Sequence, residues 1–131
     1  VILVDTHVLV WAAIEPKRLS RSAVSAMRRA RSSDGLALAA ISLWELASLF
    51  ARCRIEAYGT IEASVRQILE AVPVVIKPLT IEIAVLATQF PENYPRDPAD
   101  RMIGATARSE GLALITQDEA IRSSHLVKTI W

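Results

Sequence analysis

Five short aliphatic runs punctuate this chain, at Val1–Val4, Leu36–Ala39, Val74–Ile76, Leu112–Thr116 and Leu126–Ile130, and none alternates cleanly between apolar and polar side chains. Runs of that kind suit strands covered on both faces, as in a parallel sheet. The segments between them carry apolar residues at helical spacing. In Ser42–Cys53 these are Leu43, Leu46, Ala47 and Phe50, and Ser20–Ser32, Gly59–Ala71, Thr80–Phe90 and Pro98–Glu110 complete the set. Strands alternating with helices predict an α/β fold, a central parallel sheet flanked by helices. The 131 residues hold no repeat, low-complexity tract or long linker, so one domain over 1–131 is expected. Hydrophobic residues make up 52% of the chain, which excludes a wholly disordered protein.

Other classes fall away on the same footing. The longest apolar stretch, Leu36–Ala51, is broken by Ser42, Glu45 and Ser48, whereas a membrane span needs about 20 nearly uninterrupted apolar residues. Val1–Val4 is a short apolar run that ends at Asp5, and no secretory leader is expected from it. The lone cysteine, Cys53, has no partner for an internal disulfide. A cytoplasmic location is the expectation, with Cys53 read as a small buried apolar residue. The net charge of +1 argues against a surface that traps polyanions on every side. The basic residues are not evenly spread, however. Lys17, Arg18, Arg21, Arg28, Arg29 and Arg31 fall in one stretch with no acid between Glu15 and Asp34. Such a stretch either grips a nucleic-acid backbone or forms a solvated helix face.

Open parallel sheets bind ligands beyond the carboxyl ends of their strands. Two acids sit there: Asp5, directly after Val1–Val4, and Asp118, one residue beyond Leu114-Ile115-Thr116. Two more open helices, Glu45 in Ser42-Leu43-Trp44-Glu45 and Asp100 in Asp97-Pro98-Ala99-Asp100. Taken singly, each tetrad reads as a helix start. Ser42 and Glu45 have the spacing of a capping box, and Asp97 would cap a helix with Pro98 at its first position. Together, four carboxylates from four segments are expected at one sheet edge. Their charges repel and raise one another's pKa unless a cation neutralises them. An all-oxygen set without His or Cys suits Mg²⁺ or Mn²⁺, one or two ions, in place of zinc. That is the chemistry of metal-assisted phosphodiester hydrolysis by water.

Val1–Asp5 with Thr6, Ser42-x-x-Glu45, Asp97-Pro98-Ala99-Asp100-Arg101 and Thr116-Gln117-Asp118 together resemble a PIN-domain protein, and more narrowly a VapC toxin of a type II toxin–antitoxin pair. The likeness runs from the first strand to the last, with all four blocks in order. It implies a three-layer α/β/α fold with strand order 3-2-1-4-5. It implies a Mg²⁺- or Mn²⁺-dependent endoribonuclease acting on RNA such as tRNA or rRNA, a homodimer, and inhibition by a VapB-like antitoxin. The family's acidic quartet carries over onto Asp5, Glu45, Asp100 and Asp118, both as metal ligands and as catalytic acids. Thr116 matches the hydroxyl position beside the last acid, Ser42 supports Glu45's segment, and Asp97 is expected as the helix cap.

The remaining candidates have a bland reading beside the functional one. Arg96 and Arg101 flank the Asp97–Asp100 block and suit either substrate phosphate or a carboxylate partner, the second favoured for Arg101. Arg28 and Arg29 are candidates for RNA contact, should the basic stretch flank the acids. His7 is expected to cap or pack at the first helix, and His125 is assigned no role. Phe50 is expected in the core, and Trp11 is the aromatic best suited to a contact with the antitoxin. Two rival readings remain. A different Mg²⁺-dependent phosphoryl hydrolase would need other residues: a haloacid-type phosphatase wants an Asp where His7 stands, and a receiver domain wants an acidic pair before its phosphorylated Asp and a late lysine. Neither arrangement is present. A non-catalytic PIN scaffold would have lost one or more of the four acids, and all four are filled.

Overall fold

A computed structural model describes all residues, 1–131. Five strands, β1 (Ile2–Val4), β2 (Leu36–Ala39), β3 (Val75–Lys77), β4 (Leu114–Ile115) and β5 (Thr129–Ile130), pair in parallel in the order β3-β2-β1-β4-β5. The helices are α1 (Thr6–Ile14), α2 (Arg21–Arg31), α3 (Ala40–Ala51), α4 (Ile61–Ala71), α5 (Ile81–Thr88), α6 (Pro98–Glu110) and α7 (Glu119–Ser124), with a short 3₁₀ turn at Pro16–Arg18. This is the three-layer α/β/α arrangement with order 3-2-1-4-5 that the resemblance implies.

The absence of polar alternation in the strands has a direct cause. Successive side chains of a strand point to opposite faces, and here both faces are apolar cores. Val4, Leu36, Leu38 and Ile115 join a cluster with α1, α2, Leu46 and Phe50 of α3, and Ile68 of α4. Leu3, Ala37, Ala39 and Leu114 face the other way, against Ile83 and Ala87 of α5, Ile103, Ala105 and Ala107 of α6, and Ile121 of α7. Strand β3 departs from the expectation of double burial. It is an edge strand with one neighbour, and Val75 is 60% exposed. The apolar runs also overstate the strands, since β4 and β5 are two residues each.

Two helices lie outside the expected set of amphipathic segments. Helix α1 buries Thr6, Val8, Leu9, Val10 and Trp11, so it is apolar on nearly every side and carries no amphipathic signature. Helix α7, six residues long, is too short to show one. A third difference concerns α3. Strand β2 runs into it without a loop, with Ala39 as the N-cap and no side-chain cap. Ser42 is therefore inside the first turn, and the expected Ser42–Glu45 capping box does not form; both side chains are engaged elsewhere. No helix is long and apolar enough to cross a membrane.

Candidate active site

The carboxyl ends of β1 and β4 meet at Asp5. Its backbone N–H donates to the Ile115 carbonyl at 3.0 Å, which continues the ladder and seats the residue at the sheet edge. One carboxylate oxygen accepts from the Thr6 N–H (2.8 Å), capping α1, and the other accepts from the Thr116 hydroxyl (2.7 Å). Thr116 in turn accepts from the Asp118 N–H at 3.1 Å, and Asp118 caps α7 by accepting from the Ile121 N–H at 3.1 Å. A single buried hydroxyl thus ties two acids from the two ends of the chain.

Glu45 reaches the same edge from α3. Its Oε1 accepts from the Thr6 hydroxyl at 2.6 Å, and Thr6 Oγ1 is 2.8 Å from Ser42 Oγ. A carboxylate only accepts, and a hydroxyl has one proton to give. Thr6 therefore donates to Glu45 and accepts from Ser42, whose side chain is fully buried. Thr6 is the positioning residue that sequence reasoning left without a role; a hydroxyl directly after Asp5 was the only signal.

Asp100 lies in the first turn of α6, which Asp97 caps by accepting from the Ala99 N–H at 2.8 Å. The buried Tyr94 hydroxyl donates to the Asp100 carbonyl at 3.1 Å. The Arg101 guanidinium donates to the carbonyls of Phe90, Pro91 and Tyr94. Arg101 thus pairs with no carboxylate, contrary to the favoured expectation; it fastens the loop before α6. Neither role had a signature in the sequence. Arg96 stands exposed immediately before Asp97.

The electrostatics are those of crowded acids. Burial pushes Asp100 up, and the charges of Asp5, Asp97, Glu45 and Asp118 push it further, to about 7. Asp5 is raised by burial against the lowering effect of its Thr116 and Thr6 hydrogen bonds, with Asp118 adding to the rise. Glu45 is raised by burial, opposed by the Thr6 hydrogen bond and reinforced by Asp5 and Asp97. Tyr94 is held strongly protonated by burial and by Asp100, Asp5 and Asp118. Three helices, α1, α6 and α7, start at these acids, so their positive dipole ends converge where an anion would approach. The donor set fits a hard divalent cation in kind: carboxylate oxygens whose mutual repulsion such an ion would relieve. No three Asp, Glu, His or Cys side chains stand as a closed ligand cluster, so these carboxylates suit an ion that keeps part of its water shell, as Mg²⁺ does.

The other candidates are placed differently from expectation. Arg28 and Arg29 sit at the end of α2, where the Gly35 N–H reaches the Ala30 carbonyl (2.7 Å) and the Ile2 N–H reaches Gly35 (3.4 Å). That is the amino edge of the sheet, opposite the acids, so Arg28 and Arg29 do not flank them. Trp11 is buried, 6.0 Å from the Trp131 ring and covered by the Arg18 guanidinium at 4.3 Å, and offers no surface to a partner. Phe50 is in the core. Cys53 is exposed, in the turn after α3 with φ of 55°, because the helix has already ended at Arg52. His7 is exposed on α1, whose cap is Asp5, and His125 closes α7 in the left-handed conformation.

The family described as PIN domain matches residues 2–124. The chain is 39% identical over 132 residues to ribonuclease VapC22 of Mycobacterium tuberculosis, covering 99% of this chain and 98% of the relative. Among solved structures it resembles VapBC2 from Rickettsia felis bound to a DNA fragment from the promoter, with TM-score 0.73 and 13% identity over 98% of this chain and 96% of that one. It also resembles VapBC-5 from Mycobacterium tuberculosis, with TM-score 0.64 and 20% identity over 98% and 95%.

Proposed function

The chain belongs to the PIN-domain family, among the VapC-type ribonuclease toxins, and from that premise we propose that Asp5, Glu45, Asp100 and Asp118 form the centre of a metal-dependent endoribonuclease. One observation carries this assignment: burial together with the charges of Asp5, Asp97, Glu45 and Asp118, brought to a single sheet edge from separate segments, pushes Asp100 up to about 7. A fold gains nothing from gathering like charges half out of water unless something of opposite sign is to be bound there.

One or two Mg²⁺ or Mn²⁺ ions, held by Asp5, Glu45, Asp100 and Asp118, would supply the positive charge that stabilises a phosphodiester transition state. The chain's own residues prepare the place. Thr116 and the Thr6 N–H fix both oxygens of Asp5, and the Thr6 hydroxyl, backed by Ser42, aims Glu45. Asp97 and Tyr94 fix the first turn of α6 and with it Asp100. The N-termini of α1, α6 and α7 add a field that favours the substrate phosphate. Arg96, exposed at the loop before α6, is available to RNA.

The whole chain, 1–131, serves this one site as a single PIN unit. Its partners are RNA, with tRNA or rRNA as the substrate class, a second copy in a homodimer, and a VapB-like antitoxin that silences it in the cytoplasm. The test is cleavage by antitoxin-free protein of a broad RNA panel with Mn²⁺ or Mg²⁺. Cleavage that chelation stops and that Asp5→Asn or Asp100→Asn abolishes is the expected result. An intact panel with either metal sinks the enzyme reading and leaves a binding module on the PIN scaffold. Growth arrest on expression, relieved by co-expression of the neighbouring open reading frame, tests the toxin role separately.

A further inference from the structure

An open groove of about 700 Å³ runs between α3 and the start of α6, and Glu45 and Asp97 are part of its wall. Trp44, next to Glu45 in sequence, lines it and is 59% exposed. Arg52 and Arg54, at the far end of α3, also line it; both are exposed and neither belongs to any of the chain's ion pairs. From Trp44 to Arg52 the helix rises about 12 Å. The groove therefore offers an uncovered aromatic face beside the acidic edge and two unneutralised guanidinium groups further out.

We propose that this groove carries the single-stranded RNA segment adjoining the cleaved bond, with Trp44 stacking on a base and Arg52 and Arg54 taking backbone phosphates. The proposal rests on the ribonuclease reading above and names the residues by which substrate would be held. Aromatic side chains paired with arginines are how sequence-tolerant single-strand grooves are built, because every unpaired base has a face to stack. A base within a duplex has no free face, so the aromatic selects loops, bulges and ends. Charge points the same way: the groove is acidic only where it meets the quartet and basic where the strand leaves. An antitoxin peptide is the other conceivable occupant, but Glu45 is itself part of this wall, so a strand lying in the groove brings its phosphates to the edge of the quartet.

Binding is best read apart from cleavage, in an Asp100→Asn background with fluorescein-labelled single-stranded RNA of about ten nucleotides. Trp44→Ala is expected to weaken binding about tenfold or more and Trp44→Phe to keep most of it. Replacing Arg52 and Arg54 together by Ala should lower the slope of log affinity against log salt by about 1.4. With Asp100 restored, the same variants should lose kcat/KM mainly through KM. Since Trp44 is exposed, its replacement leaves the fold in place. Binding within about twofold of the parent for Trp44→Ala, with an unchanged salt slope, overturns the proposal while leaving a working ribonuclease. So does a loss of antitoxin affinity without any loss of RNA affinity, which would assign the groove to a peptide. Failure of the parent chain to cut any RNA is a separate result, and it refutes the enzyme reading instead.

Discussion

Asp100 is half-buried, hemmed in by four other carboxylates, and pushed up to about 7. Its charge is a liability to the fold and, on the reading above, a requirement of the reaction. Replacing it by Asn removes the charge and keeps the shape, so the two effects should separate. Asp100→Asn is expected to lower kcat/KM at least about a hundredfold. The same change should stabilise the metal-free protein by on the order of 1 kcal/mol, after discounting for partial exposure, or ~4 °C in Tm. A thermal melt showing the variant less stable than the parent would remove the electrostatic explanation. Thr116 makes a second test at this scale. Thr116→Val keeps the volume but takes the hydrogen bond from Asp5 and the acceptor from the Asp118 N–H. A tenfold to hundredfold weakening of activity, about the effect of losing a partner behind a metal ligand, is expected, with a higher metal concentration at half activity. The four acids were readable from sequence because each stands at the end of an apolar run or the head of a helix. The residues that aim them were not. A buried hydroxyl network such as Thr6–Ser42–Glu45 exists only once distant segments meet, and Ser42 looked like a cap for that reason.

Among the elements, α6 shows how packing fixes a functional residue from behind. Gly104 faces the Tyr94 ring, and a Cβ there would lie 2.2 Å from the Tyr94 hydroxyl oxygen. Tyr94 is buried and its hydroxyl holds the Asp100 carbonyl, while Phe90 packs edge-on against it at 4.7 Å between ring centroids. Gly104→Ala must therefore displace Tyr94 or tilt α6. The expected cost is about 1–3 kcal/mol by chemical denaturation, with activity reduced because Asp100 moves with its helix. Gly104→Ala combined with Tyr94→Phe, which removes the obstructing oxygen, should recover part of the stability. No recovery would mean that the Tyr94 ring or Phe90, not the hydroxyl, sets the fit. At this scale the strand–helix order could be read in advance, because its signal is local apolar spacing. The exact start of α3, the missing cap and α1 could not. Helix α1 buries Val8–Trp11 consecutively in the core and is exposed only at His7 and Ile14, so its apolar residues leave no periodic trace. The exposure of β3 depends on its place at the sheet edge, which no local pattern records.

Over the whole molecule, near-neutral charge conceals a division: acids gather at the carboxyl edge of the sheet, and the exposed arginines at the end of α2 stand at the opposite edge. The acidic edge makes stability depend on pH in a direction opposite to the usual carboxylate case. In the unfolded chain Asp100 loses its proton near its ordinary value of 3.8, whereas in the folded chain it keeps the proton until about 7. Between those values the unfolded state binds fewer protons, so stability falls as pH rises and levels off above about 7. Asp5 and Glu45, both raised, act in the same sense. A divalent cation binds the deprotonated folded site and must displace the protons held there, so its stabilising effect grows with pH. Metal-free melts between about pH 5 and pH 8 should show Tm declining, less steeply in Asp100→Asn, and the difference between the two proteins isolates this one group from all others that titrate. Added Mn²⁺ should raise the parent's Tm more at the upper end of that range than at the lower, and should do little for Asp100→Asn. A parent-minus-variant difference that stays flat with pH would show that the crowding of charge at the sheet edge is relieved by some other means. An equal Mn²⁺ shift in both proteins would place the ion away from Asp100.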